Sequence, residues 1–297
     1  MPELPDLTVY LDALDQRIVG DPLEGVRLAS PFVLRSVQPR PADLVGKRLE
    51  GISRIGKRLV FSFEAEHYIV IHLMVAGRFR WKDDKGAKIP GRIGLAAFDF
   101  PRGTLLFTEA SKKKRASLHL VQGKENLAPF HRGGLEPIGA TLESFAAALT
   151  KERHTVKRAL TDPRIFSGIG NAYSDEILHR AKQSPMARTD RLDAEAIERL
   201  HRATQDVMNE WIVRLREEAG ADFPTEVTAF RPEMAVHGKF DHPCPVCGTK
   251  VQRIVYAENE ANYCPRCQTN GKMLSDRSLS RLLKASWPKT IEELEGR

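Results

Sequence analysis

Four cysteines set the tightest limit on what this chain can fold into. They fall in two pairs, Cys244-Pro-Val-Cys247 and Cys264-Pro-Arg-Cys267, with sixteen residues between the pairs. Two cysteines two apart on a tight turn can point at one ion, and two such turns supply a tetrahedron. The spacing is that of a four-cysteine zinc site, and Gly248 suits the turn after the first pair. The alternative is a pair of disulfides. It is disfavoured by an N-terminus with no basic n-region and no apolar h-region, the features of a secreted chain. A closed four-thiolate site leaves no open position for catalysis, so the pattern predicts a structural Zn2+ ribbon and says little about function.

At 297 residues the chain suggests two domains, and 41% hydrophobic with 29% charged residues is ordinary for a soluble globular protein. No run of 18 apolar residues is present, so no membrane span is expected and the expected location is cytoplasmic, in the cytosol or on the nucleoid. Net charge is +7 and pI about 9.3. Such a balance permits nucleic-acid binding and is explained equally by plain solubility. Ser111-Lys112-Lys113-Lys114-Arg115 puts four cations into five positions. Lys112, Lys113 and Lys114 form either a solvated hairpin loop or a phosphate contact.

Residues 6–19 place Leu7, Tyr10, Leu11, Leu14 and Ile18 at helical spacing, and Gly20 can end the helix. From about 24 to 121 the texture becomes short β-rich runs, RLVFSF, YIVIHL, RFRW, LAAFDF, TLLFTEA and ASLHLV, separated by Gly, Pro or charged turns. These read as an antiparallel sandwich or barrel. The glycine-rich stretch through 131–140 reads as a hinge, and beyond it the pattern is helical. A long helix at about 193–217 carries Ala196, Ile197, Leu200, Ala203, Val207, Trp211 and Leu215 along one face. The fold class is therefore α+β and multi-domain.

Ser167-Gly168-Ile169-Gly170-Asn171 lies between two helical stretches. Its glycines allow positive φ and close backbone approach. Asn171 suits the N-cap of the following helix, whose free N–H groups and dipole favour an anion. A tight capped turn explains the stretch as well, although GIG turns also occur in helix-hairpin-helix DNA-binding proteins.

Together these residues resemble the formamidopyrimidine-DNA glycosylase/endonuclease VIII family of base-excision repair enzymes. The likeness runs in order through PELPD at the start, RIGKRL at 54–59, IHL at 71–73, GLEPIG at 134–139, GIGNAYSDEIL at 168–178 and the CPVCG…CPRCQ ribbon. It implies an N-terminal β-sandwich domain with an N-terminal helix (1–130) and a hinge (131–140). A helix-two-turn-helix domain (141–235), a four-cysteine zinc ribbon (236–270) and a C-terminal extension (271–297) would follow, with DNA in the cleft between domains. It also implies catalysis by Pro2 once Met1 is removed. An α-amino group with a reference pKa near 7.7–8.0 is partly unprotonated at neutral pH. It can attack the sugar C1′ as the base leaves. The secondary amine then gives a cationic iminium that acidifies C2′ and drives strand elimination. By the same resemblance Glu3 is the acid/base partner and Lys57 faces the phosphate beside the damaged nucleotide. His72 and Asn171 bind phosphates. Asp6 stands where the family has a glutamate and is not assigned to catalysis.

The sequence departs from the family pattern at the ribbon tip, at the gap-filling residues and in continuing past the ribbon. Asn259, flanked by Glu258 and Glu260, occupies the ribbon position where the family carries a phosphate-gripping arginine, so that contact is weakened to a hydrogen bond. Val75 stands in for the methionine that fills the gap left by a flipped base, with Met74 adjacent. EASKKKRAS at 109–117 replaces an Arg-Phe loop. Beyond the ribbon, Leu279, Leu282 and Leu283 suggest one short helix. The expected activity is a DNA glycosylase with AP lyase activity on damaged, oxidised bases, in a monomer that binds damaged, abasic-site or single-stranded DNA. An AP lyase or glycosylase for single-stranded, opened or crosslinked DNA, and a non-catalytic DNA-binding protein on the same scaffold, are the alternatives.

Overall fold

The computed structural model describes residues 1–225, 227, 231–256, 259–275, 282 and 288–296. Residues 1–132 and 211–228 form one compact unit; residues 133–210 and 229–297 form the other.

In the first unit, helix α1 (Leu4–Ile18) precedes eight antiparallel strands. One sheet orders β1 (Gly25–Leu28), β6 (Gly94–Phe100), β7 (Gly103–Glu109) and β5 (Gly77–Lys82). The other orders β2 (Leu49–Ile55), β3 (Arg58–Phe63), β4 (His67–His72) and β8 (Ser117–Gln122). The expected sandwich is present, because alternate residues of both sheets meet in one core with the apolar face of α1. Leu59, Phe61 and Phe63 of β3 pack with Phe79, Phe98, Phe100 and Phe107 of the facing sheet and with Leu7, Tyr10, Leu14 and Ile18 of α1. Burying one such side chain stabilises by about 1.5–3 kcal/mol. Tyr10 meets Phe79 edge-on at 5.5 Å, and its hydroxyl accepts the Phe79 N–H at 3.2 Å. That bond satisfies the hydroxyl that Tyr10 carries into the core.

Two strands, β1 and β2, escape a reading by alternation. Both are sheet edges, where one strand flank has no partner and side chains stay half-exposed, so apolar periodicity is weak. The outer face of the second sheet is also covered. Val60, Val70 and Val121 pack there with Leu127 and Phe130 of the 3-10 turn Lys124–Phe130.

In the second unit, α2 (Leu142–Thr150) and α3 (Val156–Thr161) start at Thr141 and Thr155, whose side chains accept the N–H of Ser144 and Arg158. Helix α4 (Asn171–Arg180) has Gly170, not Asn171, as its N-cap residue. Gly168 has φ +79°, a conformation that only glycine adopts without strain, and it turns the chain into that helix. Helix α5 (Ala194–Ala219) buries Leu200, Ala203, Val207, Trp211 and Leu215 at the anticipated spacing, and from Trp211 it belongs to the first unit. The ribbon consists of hairpin β9 (Gln252–Tyr256) and β10 (Asn259–Tyr263) with helix α6 (Pro265–Thr269), and helix α7 (Ile291–Glu295) lies in the tail. Of the expected tail helix, Leu282 is helical and exposed, whereas Leu279 and Leu283 lie outside the described residues. No described helix is long and apolar enough to cross a membrane.

Candidate active site

The chain begins as a helix start, and the local chemistry explains why. Glu3 is the N-cap of α1, and Pro5 sits in the first turn, where its missing N–H costs nothing. Asp6, at the third helical position, accepts the Glu3 backbone N–H at 2.9 Å, the returning arm of a capping box. Both carboxylates are buried, Glu3 at 2% and Asp6 at 1% exposure, and Pro2 is buried beside them. The terminal amine, carried by Met1 in this chain, is held below its ordinary pKa. Burial is the largest cause; Glu3 and Asp6 oppose it, and the Arg78 and Lys57 cations reinforce it. The first unit therefore gathers an amine, two carboxylates and two cations around its first residues. A depressed pKa means more unprotonated, nucleophilic amine at neutral pH.

Lys57 stands in the two-residue turn Gly56-Lys57 that joins β2 to β3, with Gly56 at φ +61° as such hairpins require. His72 ends β4. Its Nδ1 accepts the Met74 N–H at 3.1 Å, which leaves the proton of the neutral ring on Nε2 as a donor. Burial, then Arg58, Lys57 and His119, lower its pKa to about 4, so at neutral pH it donates without charge. The following turn is tightly built: Gly77 N–H donates to the Leu73 carbonyl at 2.8 Å, and a Cβ at position 77 would collide with that carbonyl. Val75 is 60% exposed in this turn, while Met74 is half-buried with φ +54°.

The three clustered lysines divide. Glu109, buried at the end of β7, accepts the N–H groups of Arg115 and Ala116 at 3.1 and 3.2 Å and folds the loop around its carboxylate. Lys114 donates to the carbonyls of Glu109 and Arg92. Lys112 and Lys113 are exposed.

The second unit holds the remaining candidates along one stripe of α4. Asn171 Nδ2 donates to the Glu260 carbonyl of β10 at 2.7 Å. One turn on, buried Asp175 accepts Lys157 Nζ at 2.6 Å and lies 2.8 Å from His237 Nδ1. Glu176 accepts the N–H groups of Ala235, Val236 and His237. Burial raises its pKa; those three donors oppose the rise and nearby Asp175 adds to it. Another turn on, His179 Nε2 is 3.2 Å from Cys244 Sγ. Positions 171, 175 and 179 are four apart, so one helical face holds both the approach to the ribbon and its hairpin.

The four cysteines are the one group among the described residues arranged to hold a metal, with all Sγ atoms within 4.8 Å of one another. Cys244–Cys267 and Cys247–Cys264 are 3.9 and 3.4 Å apart, and no disulfide joins them. Tetrahedral zinc with Zn–S near 2.3 Å requires sulfur separations of about 3.8 Å, so the set fits Zn2+. Neutral His179 then has a thiolate to donate to, an outer hydrogen bond of the kind that orients metal ligands. Asn259 opens β10 opposite Tyr256, and Glu258 lies outside the described residues. Glu260, expected to make the tip acidic, pairs with Arg253 at 3.3 Å and accepts Asn262 Nδ2 at 3.2 Å, which offsets its charge.

A buried N-terminal residue beside two carboxylates, a β-sandwich and a four-cysteine ribbon define a zinc-ribbon protein with its candidate chemistry at the start of the chain. Comparison with known proteins narrows this class. Residues 1–120 match the formamidopyrimidine-DNA glycosylase N-terminal domain, 134–219 that enzyme's H2TH domain, and 241–270 the zinc finger found in FPG and IleRS. A formamidopyrimidine-DNA glycosylase of Bacillus cereus is 30% identical over 286 residues, covering 90% of this chain and 99% of that one. A formamidopyrimidine-DNA glycosylase-like protein of Mycobacterium tuberculosis is 38% identical over 151 residues, 51% of this chain and 94% of its own length. Among solved structures, Lactococcus lactis Fpg in complex with abasic-site DNA aligns with TM-score 0.79 at 26% identity, covering 90% of this chain and 99% of that one. The chain belongs to the formamidopyrimidine-DNA glycosylase family.

Several residues of these sites gave no signal by residue type alone. By residue type Asp6 is only the acid three after a helix cap, in a position where the resembled family has a glutamate, and Arg78 is one of the 46 Lys and Arg residues. His179 becomes legible once its place two turns after Asn171 is set against the ribbon.

Proposed function

We propose that the chain is a base-excision repair DNA glycosylase with AP lyase activity that uses the amine of Pro2 as its nucleophile. The observation that carries this is the buried start of α1, where Glu3 and Asp6 flank the terminal amine and burial depresses its pKa. Removal of Met1 moves the amine onto Pro2, one residue further into the same surroundings.

The steps then follow from the residues present. The Pro2 nitrogen attacks C1′ and gives up its N–H proton, which frees its lone pair, while the damaged base departs with its bonding pair and takes up a proton. Glu3 delivers a proton to the ring oxygen as the sugar opens, and the nitrogen lone pair closes the iminium. The cationic iminium acidifies C2′; loss of a C2′ proton, whose electron pair forms the C2′–C3′ double bond, expels the 3′ phosphate and breaks the strand. Lys57 and neutral His72 hold the phosphates beside the lesion, the one by charge and the other through Nε2–H. Asn171, Lys112, Lys113 and Lys114 supply further DNA contacts in this reading. The zinc ribbon stabilises the fold and takes no part in the chemistry. The enzyme acts as a monomer in the cytoplasm.

Substrate form follows from the turn Leu73–Gly77. Val75 is a short side chain for filling the space of a flipped base, so single-stranded or opened DNA is the favoured substrate. Incubation with abasic-site DNA, single- and double-stranded, tests the activity. The expected result is scission at the abasic site that leaves an unsaturated aldehyde on the 3′ end. Intact strands, with the N-terminal proline confirmed free by mass, would contradict it.

A further inference from the structure

A second cluster, of arginine and histidine side chains, lies on the outer face of the sheet β2–β3–β4–β8, and the role of Pro2 does not use it. Register builds it. Arg58 pairs with His72, and His72 with Ser117, in one row; Val70 pairs with His119 two residues along, so Arg58, His72 and His119 share a face. The segment ahead of the sheet brings in Arg35: its N–H donates to the Leu118 carbonyl at 2.8 Å, and Ser36 Oγ accepts the Leu120 N–H at 2.8 Å. Phe130 lies between the two inner members, its ring 5.9 Å from the Arg58 guanidinium and 5.0 Å from the His119 ring.

The charges here are one-sided. Half-buried Arg58 makes no hydrogen bond or ion pair with the described residues, its partner being the Phe130 ring, and half-buried His119 makes none either. Burial, then Arg132, lowers the Arg58 pKa; burial, then Arg58 and Arg35, lowers that of His119. Among the described residues no carboxylate pairs with either. Elsewhere in this unit, partly exposed arginines find acids, as Arg27 does with Asp99 at 2.7 Å and Arg102 with Asp21 at 2.7 Å. Beside His119 and Phe130 a groove of about 440 Å³ opens, lined also by Ser36, Gln38, Gln122 and Asn126. A cation held partly out of water with no acid beside it is a site for a ligand that brings the negative charge.

We infer that Arg58, His119 and Arg35 form a second phosphate-binding site, which takes a phosphodiester of the DNA strand beyond the phosphate held at His72. This inference rests on the DNA-binding function proposed above. Arg58 donates to the phosphate, His119 adds an N–H, and Phe130 holds the guanidinium in place through its ring face.

The test measures binding of a fluorescent single strand carrying a reduced abasic site, by anisotropy, across a range of salt. Each phosphate neutralised on a single strand contributes about 0.7 to the slope of log K against log salt. For Arg58→Gln the slope should become shallower by about that amount, while Arg58→Lys keeps it and Arg48→Gln, whose side chain pairs with Glu64, leaves it unchanged. His119→Glu, which puts a negative charge into the cluster, should weaken binding at low salt at least tenfold, and it covers the case in which Arg58→Gln fails to fold. Wild-type slopes in folded Arg58→Gln and His119→Glu would overturn the inference. A wild-type chain that fails to bind the strand at all would instead overturn the DNA-binding function itself.

Discussion

The carboxylate of Asp6 accepts the backbone N–H of Glu3 at 2.9 Å, and both residues are almost wholly buried. The bond fixes the peptide next to Pro2, so in the proposed mechanism Asp6 is a positioning residue for the Pro2 amine. Asp6→Ala should cost about 1 kcal/mol of stability, the usual value of a helix cap. It should also slow abasic-strand cleavage far more than it lowers DNA affinity, whereas Asp6→Asn, which keeps an acceptor, recovers much of the rate. Rate and affinity falling together would show that Asp6 is merely structural.

His72 is a neutral donor. Because burial and the surrounding Arg58, Lys57 and His119 hold its pKa near 4, it gains no charge between pH 8 and 5.5. DNA affinity should therefore not rise through His72 as pH falls across that range. His72→Gln, which retains a side-chain N–H, should bind within about threefold of wild type, and His72→Ala about tenfold more weakly, the value of one hydrogen bond to a charged group. An affinity increase on acidification that vanishes in His72→Gln would contradict the neutral assignment.

At the ribbon, His179 lies 3.2 Å from Cys244 Sγ. Outer partners of metal ligands are worth 10–100-fold in metal affinity. His179→Phe should therefore release zinc to a metallochromic chelator roughly 10–100 times faster, with little change in the first unit. Unchanged release would reduce the contact to packing.

Lys112 and Lys113 are presented by a loop that the Glu109 carboxylate folds. If they grip phosphates, Lys112→Ser with Lys113→Ser flattens the single-strand salt slope by roughly 1.4, two phosphates' worth. A wild-type slope would mark the pair as a solvated loop.

How far the sequence alone could carry this account depended on what each residue type does. The ribbon was legible because thiol spacing has few other uses, and the sandwich because β3, β4, β6, β7 and β8 are short β-rich runs bounded by turn residues. Edge strands β1 and β2 were not, since half-exposed positions carry little pattern. Asp6 is announced locally, as the acid three after a helix cap, but the stripe Asn171–Asp175–His179 required tertiary partners, at Glu260, His237 and Cys244, that no local spacing announces. Glu260 shows the same limit from the other side: it reads as acidic in sequence, but Arg253 across the hairpin offsets it.

In the proposed reaction the Pro2 amine becomes covalently bonded to the sugar. The most direct measurement is borohydride reduction of purified protein with abasic-site DNA, followed by peptide mass spectrometry of the trapped complex, with Glu3→Gln alongside. A covalent complex whose added mass maps to Pro2, formed more slowly in Glu3→Gln, is the predicted result. An adduct on Lys57 or another lysine, or no complex from a chain whose N-terminal proline is free, would contradict it.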